Sequence, residues 1–214
     1  MAGLTLHGDV FSTATMRALV CLKEKELDFE FVPINMGAGE HKKEPFILLN
    51  PFGQVPALEA GDLSLFESRA ITKCISHRHA SKGTELIYRE SKKMATVAVW
   101  MEVEAHQFDP EASNLVWELV FKPMLGMTTD PGVVGASTEK LGRVLDVYET
   151  RLGHSKYLAG ESFTLADLHH LPCIHYLMTA QVKDLFVSRT RVSAWCQDIM
   201  ARPAWAKVLE MQKK

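Results

Sequence analysis

A small α/β domain followed by an all-helical domain is the architecture this sequence predicts, and three observations carry it. Strand and helix signals alternate through the first eighty or so residues in the order βα, then a strand and a polar segment, then ββα. Composition turns polar at "SKGTELIYRE" (Ser81 to Glu90), around Gly83. Beyond that stretch only long helical periodicity remains. Alternation with period two marks a half-buried strand, whereas apolar residues at i, i+3, i+4 and i+7 mark a helix packed on one face.

The elements follow in order. "LTLHG" (Leu4 to Gly8) alternates and reads as a strand. A helix comes next, with Ala14, Ala18, Cys21 and Leu22 on one face and the hydroxyls of Ser12 and Thr13 at its start, where such side chains cap free N–H groups. "DFEFVPI" (Asp28 to Ile34) is a second strand. "VPALE" and "LSLF" form a hairpin turned through Ala60, Gly61 and Asp62. Ile71, Cys74 and Ile75 make the inner stripe of another helix. The domains are therefore expected at residues 1–82 and 91–214, with a linker at 83–90.

In the second domain, helices are expected from about Ser91 to Leu125 and from Ser137 to Leu152, separated by "DPGVVG" (Asp130 to Gly135). "SFTLADL" places Thr164 as an N-cap and Asp167 three residues on, a capping box flanked by the staple pair Phe163 and Leu168. The competing role for Asp167 is that of a catalytic acid. Pro172 implies a kink in the helix that follows.

The 214 residues are 47% hydrophobic and 23% charged, which argues against disorder, and a formal net charge of -2 offers no basic surplus for nucleic acid. No apolar run approaches membrane-spanning length, and "MAGLTLHGDV" lacks the charged start and long apolar run of a secretory signal, so the expected address is cytoplasmic. Cys21, Cys74, Cys173 and Cys196 are scattered and read as small core residues. Among His77, His79, His169, His170 and His175, only His169 pairs with a cysteine at helical spacing, Cys173, and no second pair joins them; no metal site is expected. The serine-hydrolase elbow and the glycine-rich phosphate loops are absent.

What remains is "GDVFSTATMR", a strand–turn–helix junction. Ser12 at that helix N-terminus can cap its own helix, or it can donate to a bound anion backed by the helix dipole. No histidine base stands near it in sequence, so it is a poor nucleophile.

"STATMR", "EHKKEPFILLNPFGQVPALEAGDLSLFESRAI" and "FTLADL", in this order and spacing across nearly the whole chain, resemble plant glutathione transferases of the phi class. The resemblance implies a thioredoxin-like first domain with an all-α second domain. It implies glutathione as co-substrate, with no permanently bound cofactor and no metal. Pro56 would follow a cis bond, and the backbone of Val55 would meet the cysteinyl part of glutathione as an added strand does. Glu67 would take the ammonium and Ser68 the carboxylate of the γ-glutamyl end, although Ser68 can equally cap its helix. His41 and Lys42 match the positions that grip the glycyl carboxylate; as bare sequence, "EHKKE" is a solvated charge run. Gln54 matches a contact to the peptide backbone, and Arg17 a supporting position near the site.

In that family Ser12 would donate a hydrogen bond to the glutathione sulfur. A free thiol has a pKa of about 8.5, and lowering it by about two units takes about 2.7 kcal/mol. A hydrogen bond to a charged group supplies about 1.5–3 kcal/mol and a helix N-terminus about 0.3–1, so the two suffice. The thiolate would attack electrophilic carbon or an organic hydroperoxide; serine in place of cysteine implies little thiol–disulfide exchange. The second substrate is expected in an apolar cleft between domains, with Phe11 and Met36, then Leu115 and Leu119, as lining residues. The resemblance further implies a homodimer. A non-catalytic carrier of flavonoids, hormones or other planar apolar molecules, and an interaction module of an assembly, are the rival readings.

Overall fold

The structure, a computed structural model, describes residues 3–213. Contacts divide the chain into two units, residues 1–87 with 203–214, and residues 88–202.

The first unit is built on a mixed sheet in the order β2-β1-β3-β4. Strand β1 (Leu4–Gly8) runs parallel to β2 (Glu30–Pro33) and antiparallel to β3 (Ala57–Ala60), which turns back into β4 (Leu63–Phe66). Leu6 lies opposite Leu58, and both are buried. Strand β2 is shorter than the apolar run suggests: Pro33 has no N–H for a ladder, and the edge position tolerates it. Pro56, by contrast, stands outside β3, which begins one residue later. The bonds Val55–Pro56 and Glu44–Pro45 are both cis.

Helix α1 (Thr13–Glu24) packs against α3 (Ser68–Arg78). Ala18, Cys21, Leu22, Ile71 and Ile75 are buried as the periodicity requires, while Ala14 and Cys74 are only partly covered. The short α2 (Phe46–Leu49) places Phe46 and Leu49 against Ile34, Val55 and Ala57, a second small core. These elements form the thioredoxin-like domain expected from the resemblance.

The last helix, α12 (Pro203–Met211), belongs to this unit, whereas the sequence had assigned residues 91–214 wholly to the helical domain. It packs on α1 and buries Trp205 and Val208. The amphipathic pattern says that a helix has an apolar face, not which domain covers it.

The second unit is entirely helical among its regular elements. A helical run extends from α4 (Ser91–Val103) through a π turn at Glu104–Phe108, α5 (Asp109–Val116), a second π turn at Trp117–Phe121, and α6 (Lys122–Met124). Each π turn is followed within two residues by a proline, Pro110 or Pro123. Proline removes an N–H and crowds the carbonyl four residues back, and a locally wider turn relieves both.

Helix α7 (Pro131–Arg151) starts earlier than expected, so "DPGVVG" opens it rather than preceding it. Asp130 caps it, accepting from the N–H of Gly132 at 2.8 Å and of Val133 at 3.2 Å, and Pro131 fits the first turn, where no N–H is needed. Pro172 does not kink one helix. It lies in the first turn of α9 (Leu171–Leu177), separated from α8 (Leu165–Leu168) by His169 and His170. Two further helices, α10 (Asp184–Val187) and α11 (Thr190–Met200), complete the unit. Among the described residues no helix is long and apolar enough to cross a membrane.

Candidate functional site

The residues singled out from sequence gather mainly at one end of the first unit's sheet and at two helix N-termini. At the end of β1 the backbone must pass close to α1. Gly8 permits it, since a Cβ there would lie 2.5 Å from Thr15 Cγ2. The turn that follows is set by Asp9. Its side chain accepts from the N–H of Phe11 at 2.8 Å, and its carbonyl accepts from the N–H of Ser12 at 3.0 Å.

Ser12 is the N-cap of α1, in extended backbone conformation, and its Oγ accepts from the N–H of Thr15 at 3.4 Å. That is a long cap bond, and it uses only the acceptor capacity of the hydroxyl. Ser12 Oγ has no further hydrogen-bond partner among the described residues, so its donor capacity is unused. Capping and donation to an anion, opposed in the sequence reading, are therefore compatible in one side chain.

The junction of β4 and α3 supplies the second helix N-terminus. Glu67, not Ser68, is its N-cap, with φ of 67° and no side-chain cap bond. Left-handed backbone is uncommon for a residue with a Cβ, and at a site it signals a conformation held by its surroundings. Ser68 sits inside the helix, so the simple capping role open to it in sequence is not the one it plays. Its buried Oγ accepts from Arg17 Nη1 at 3.0 Å. Arg17, itself buried, thus ties α1 to the start of α3.

A third segment carries His41 and Lys42 in a 3-10 turn, Glu40–Lys42. Lys42 Nζ donates to the Phe52 carbonyl at 3.0 Å, and the Nδ1 atom of His41 is buried without a hydrogen-bond partner. The turn lies against Gly53, whose φ is 58° and where a Cβ would come within 2.7 Å of the His41 carbonyl. Only glycine fits there. Buried Asn50 shapes the loop before β3, donating to the Gln54 carbonyl at 2.6 Å and accepting from the N–H of Phe52 at 3.1 Å. Gln54 is exposed, and Val55 and Pro56 are buried.

Phe11 and Met36 line a common cavity of about 450 Å³ with Val10, Phe31, Ile34 and Glu40. Both are large apolar side chains left substantially exposed, at 45% and 37%. Leu115 is different: it is wholly buried among the helices of the second unit and offers no surface to a ligand. Periodicity could not distinguish those two situations. Leu119, in the second π turn, is half-buried.

Sulfur chemistry of the chain's own is disfavoured at two of its four cysteines. Burial pushes the Cys21 thiol up to about 12 and the Cys196 thiol above its ordinary range. His169 and His170 are fully buried, and His170 Nε2 lies 2.9 Å from the Tyr148 hydroxyl. No group of three or more His, Cys, Asp and Glu among the described residues could hold a metal ion.

Sequence reasoning missed Asn50, Gly53 and Glu40. The Asn-Pro and Phe-Gly steps of "NPFG" are turn signals from which the first two could have been read. Glu40 is structural as well as cavity-lining, accepting from the N–H of Asn35 at 2.7 Å.

Comparison with known proteins agrees with this two-part fold along nearly the whole chain. Residues 2–77 match the family model described as glutathione S-transferase, N-terminal domain, and residues 108–203 match glutathione S-transferase, C-terminal domain. A glutathione S-transferase of Hyoscyamus muticus is 63% identical over 211 residues, covering 99% of this chain and 100% of the relative. Among solved structures, glutathione transferase F7 from Populus trichocarpa superposes with a TM-score of 0.94 at 48% identity, covering 97% of this chain and 98% of its own. Glutathione S-transferase I from mais, in complex with an atrazine glutathione conjugate, superposes with a TM-score of 0.90 at 41% identity over 99% of both chains. With a mixed four-stranded sheet, a helical second unit and two helix N-termini at one site, the chain belongs to the phi class of the glutathione S-transferase family.

Proposed function

We propose that this transferase activates glutathione through Ser12, which holds the bound thiol as thiolate for attack on apolar electrophiles. The observation that carries the reading is the half-used cap. Ser12 Oγ accepts one long bond from Thr15, and its proton remains to be given away at the N-terminus of a 12-residue helix. A thiolate placed there receives both a charge-assisted hydrogen bond and the positive end of the dipole.

The other groups fit the tripeptide in the same reading. Helix α3 has no side-chain cap, so its first N–H groups are available to the γ-glutamyl carboxylate, alongside the Ser68 hydroxyl that Arg17 orients. The exposed carboxylate of Glu67 takes the ammonium. His41 and Lys42, on the 3-10 turn beside Gly53, take the glycyl carboxylate. Gln54 and the Val55 backbone, ahead of the Pro56 bend, pair with the peptide. In the mais enzyme the bound species is an atrazine glutathione conjugate. By analogy the cavity beside Phe11 and Met36 receives the electrophile of this chain.

The same thiolate accounts for peroxidase activity. It attacks one oxygen of an organic hydroperoxide and breaks the O–O bond; the alcohol leaves after taking a proton. The oxidised sulfur is then reduced by a second glutathione, giving the disulfide and water.

Titrating the thiolate absorbance of bound glutathione tests the mechanism. In Ser12→Ala the apparent thiol pKa should rise towards its value in water, and kcat/KM for a halogenated aromatic should fall about 10- to 150-fold. An unmoved titration overturns the serine reading. Retention of flavonoid binding by the variant, with conjugation lost, would separate carrying from catalysis. A glutathionylated substrate turned over as fast as the aromatic would refute the expected lack of exchange.

Assembly as a homodimer completes the reading. The first unit exposes Leu48 and Phe52, the second Val99 and Val147, apolar surfaces that a second copy would cover. Phe52→Asp should shift the sedimenting species from dimer to monomer; a monomeric parent protein refutes this.

A further inference from the structure

The amide of Gln212, near the far end of the chain, reaches the turn that carries Ser12. Its Nε2 donates to the Val10 carbonyl at 2.9 Å and lies 3.6 Å from Met16 Sδ, so both amide hydrogens have acceptors, one just before Ser12 and one in the first turn of α1. The bonds made by Asp9 fix the internal shape of the turn. The bond from Gln212 fixes its placement, by anchoring it to an element 202 positions away in sequence. Gln212 lies beyond α12, which ends at Met211 and is already seated by buried Ala204, Trp205 and Val208. Its side chain is therefore not needed to dock the helix.

We infer that Gln212 is a positioning residue for thiol activation: by holding the Val10 carbonyl it sets where Ser12 Oγ and Phe11 stand. The inference rests on the proposed role of Ser12. A hydrogen bond to a thiolate loses strength steeply with length and angle, so a small drift of a solvent-facing turn costs activation without unfolding anything. Because Phe11 rides on the same turn and lines the cavity, the drift is also felt by the second substrate.

The test uses the full-length enzyme with Gln212→Met, which keeps the length and loses the donor, and Gln212→Glu, which sets an acceptor against the Val10 carbonyl. The thiolate titration of bound glutathione, kcat and KM for both substrates, and the thermal midpoint are read in each. In Gln212→Met the apparent thiol pKa should rise by about half a unit and kcat at neutral pH should fall about 1.5- to 3-fold, with larger changes in Gln212→Glu. The KM for glutathione should stay within about twofold, since its other contacts are untouched, and KM for a bulky aromatic should rise. A lower thermal midpoint with an unshifted titration would mean that Gln212 only stabilises the fold, and would overturn the inference while leaving Ser12 intact. Ser12→Ala alone reports on Ser12. Adding Gln212→Met to Ser12→Ala should produce no further shift; an additive shift would show that Gln212 does not act through the serine.

Discussion

Two hydroxyl residues serve as helix N-caps among the described residues, and they are satisfied to very different degrees. Thr164 at α8 is completely enclosed. Its Oγ1 accepts from the N–H of Ala166 at 3.3 Å and lies 3.3 Å from Asp167 Oδ2, which also accepts from the Thr164 N–H at 3.1 Å. Asp167 Oδ1 takes the N–H of Leu158 and the indole N–H of Trp195, each at 3.0 Å. The Ser12 hydroxyl at α1 makes a single bond among the described residues, at 3.4 Å, and has its donor capacity to spare. A cap whose donors and acceptors are all spent can only hold structure together; one with a donor to spare can also do chemistry.

The largest expected effect comes from emptying the saturated cap. Asp167→Ala orphans the N–H groups of Leu158, Thr164 and Trp195 in a fully buried site. At about 1–3 kcal/mol for each unsatisfied donor, partly relieved by relaxation, urea unfolding should report a loss of about 3–5 kcal/mol. A loss below about 1 kcal/mol would mean that the network is not the nucleus it resembles.

The same carboxylate sharpens the contrast through pH. Burial raises Asp167 from its ordinary value of 3.8 to about 6, against the opposing pull of its hydrogen bonds. A carboxyl whose folded pKa lies above its unfolded one binds more protons when folded. Its contribution is therefore fully present below about pH 4 and is lost as pH rises towards 6. Relative to Asp167→Asn, whose amide does not titrate, the native protein should lose up to about 3 kcal/mol across that window and stay level above it. A difference that grows with pH instead would reverse the assignment. Ser12 predicts no such signature.

Replacing the hydroxyls themselves gives a smaller effect. Thr164→Ala should cost about 1–2 kcal/mol of stability. Ser12→Ala should cost at most about 0.5 kcal/mol, because its cap bond is long. Unfolding curves that rank the two in the opposite order would break the distinction drawn above.

The capping box was legible because all its partners lie within four residues of one another, and sequence spacing is then a distance. The strands β1 and β4 were legible for the same reason. The proposed glutathione site was not, from pattern alone: "EHKKE" has the composition of any solvated turn, and Pro56 gives no sign of its cis bond. Those assignments came from family resemblance. Leu115 was misjudged because an apolar helix position looks the same whether it faces a core or a cavity. Gln212 had no signal at all, since its partner stands at the opposite end of the chain and a polar residue near a terminus ordinarily faces water.

Two glutamates with left-handed backbone repeat the contrast on a smaller scale. Glu26, φ 51°, follows the C-terminus of α1, and Glu67, φ 67°, opens α3 at the site. Glycine adopts this conformation without a Cβ clash, but it also loses more entropy on folding. The net change in stability should therefore be small and similar in Glu26→Gly and Glu67→Gly, within about 1 kcal/mol of the native protein. Binding should tell them apart. Glu26→Gly should leave KM for glutathione unchanged, because that position serves only the end of a helix. Glu67→Gly should raise it, because the substitution removes the carboxylate proposed to meet the ammonium while keeping the backbone that carries it. An equal KM in both variants would place Glu67 with the scaffold, alongside Thr164, and not with Ser12.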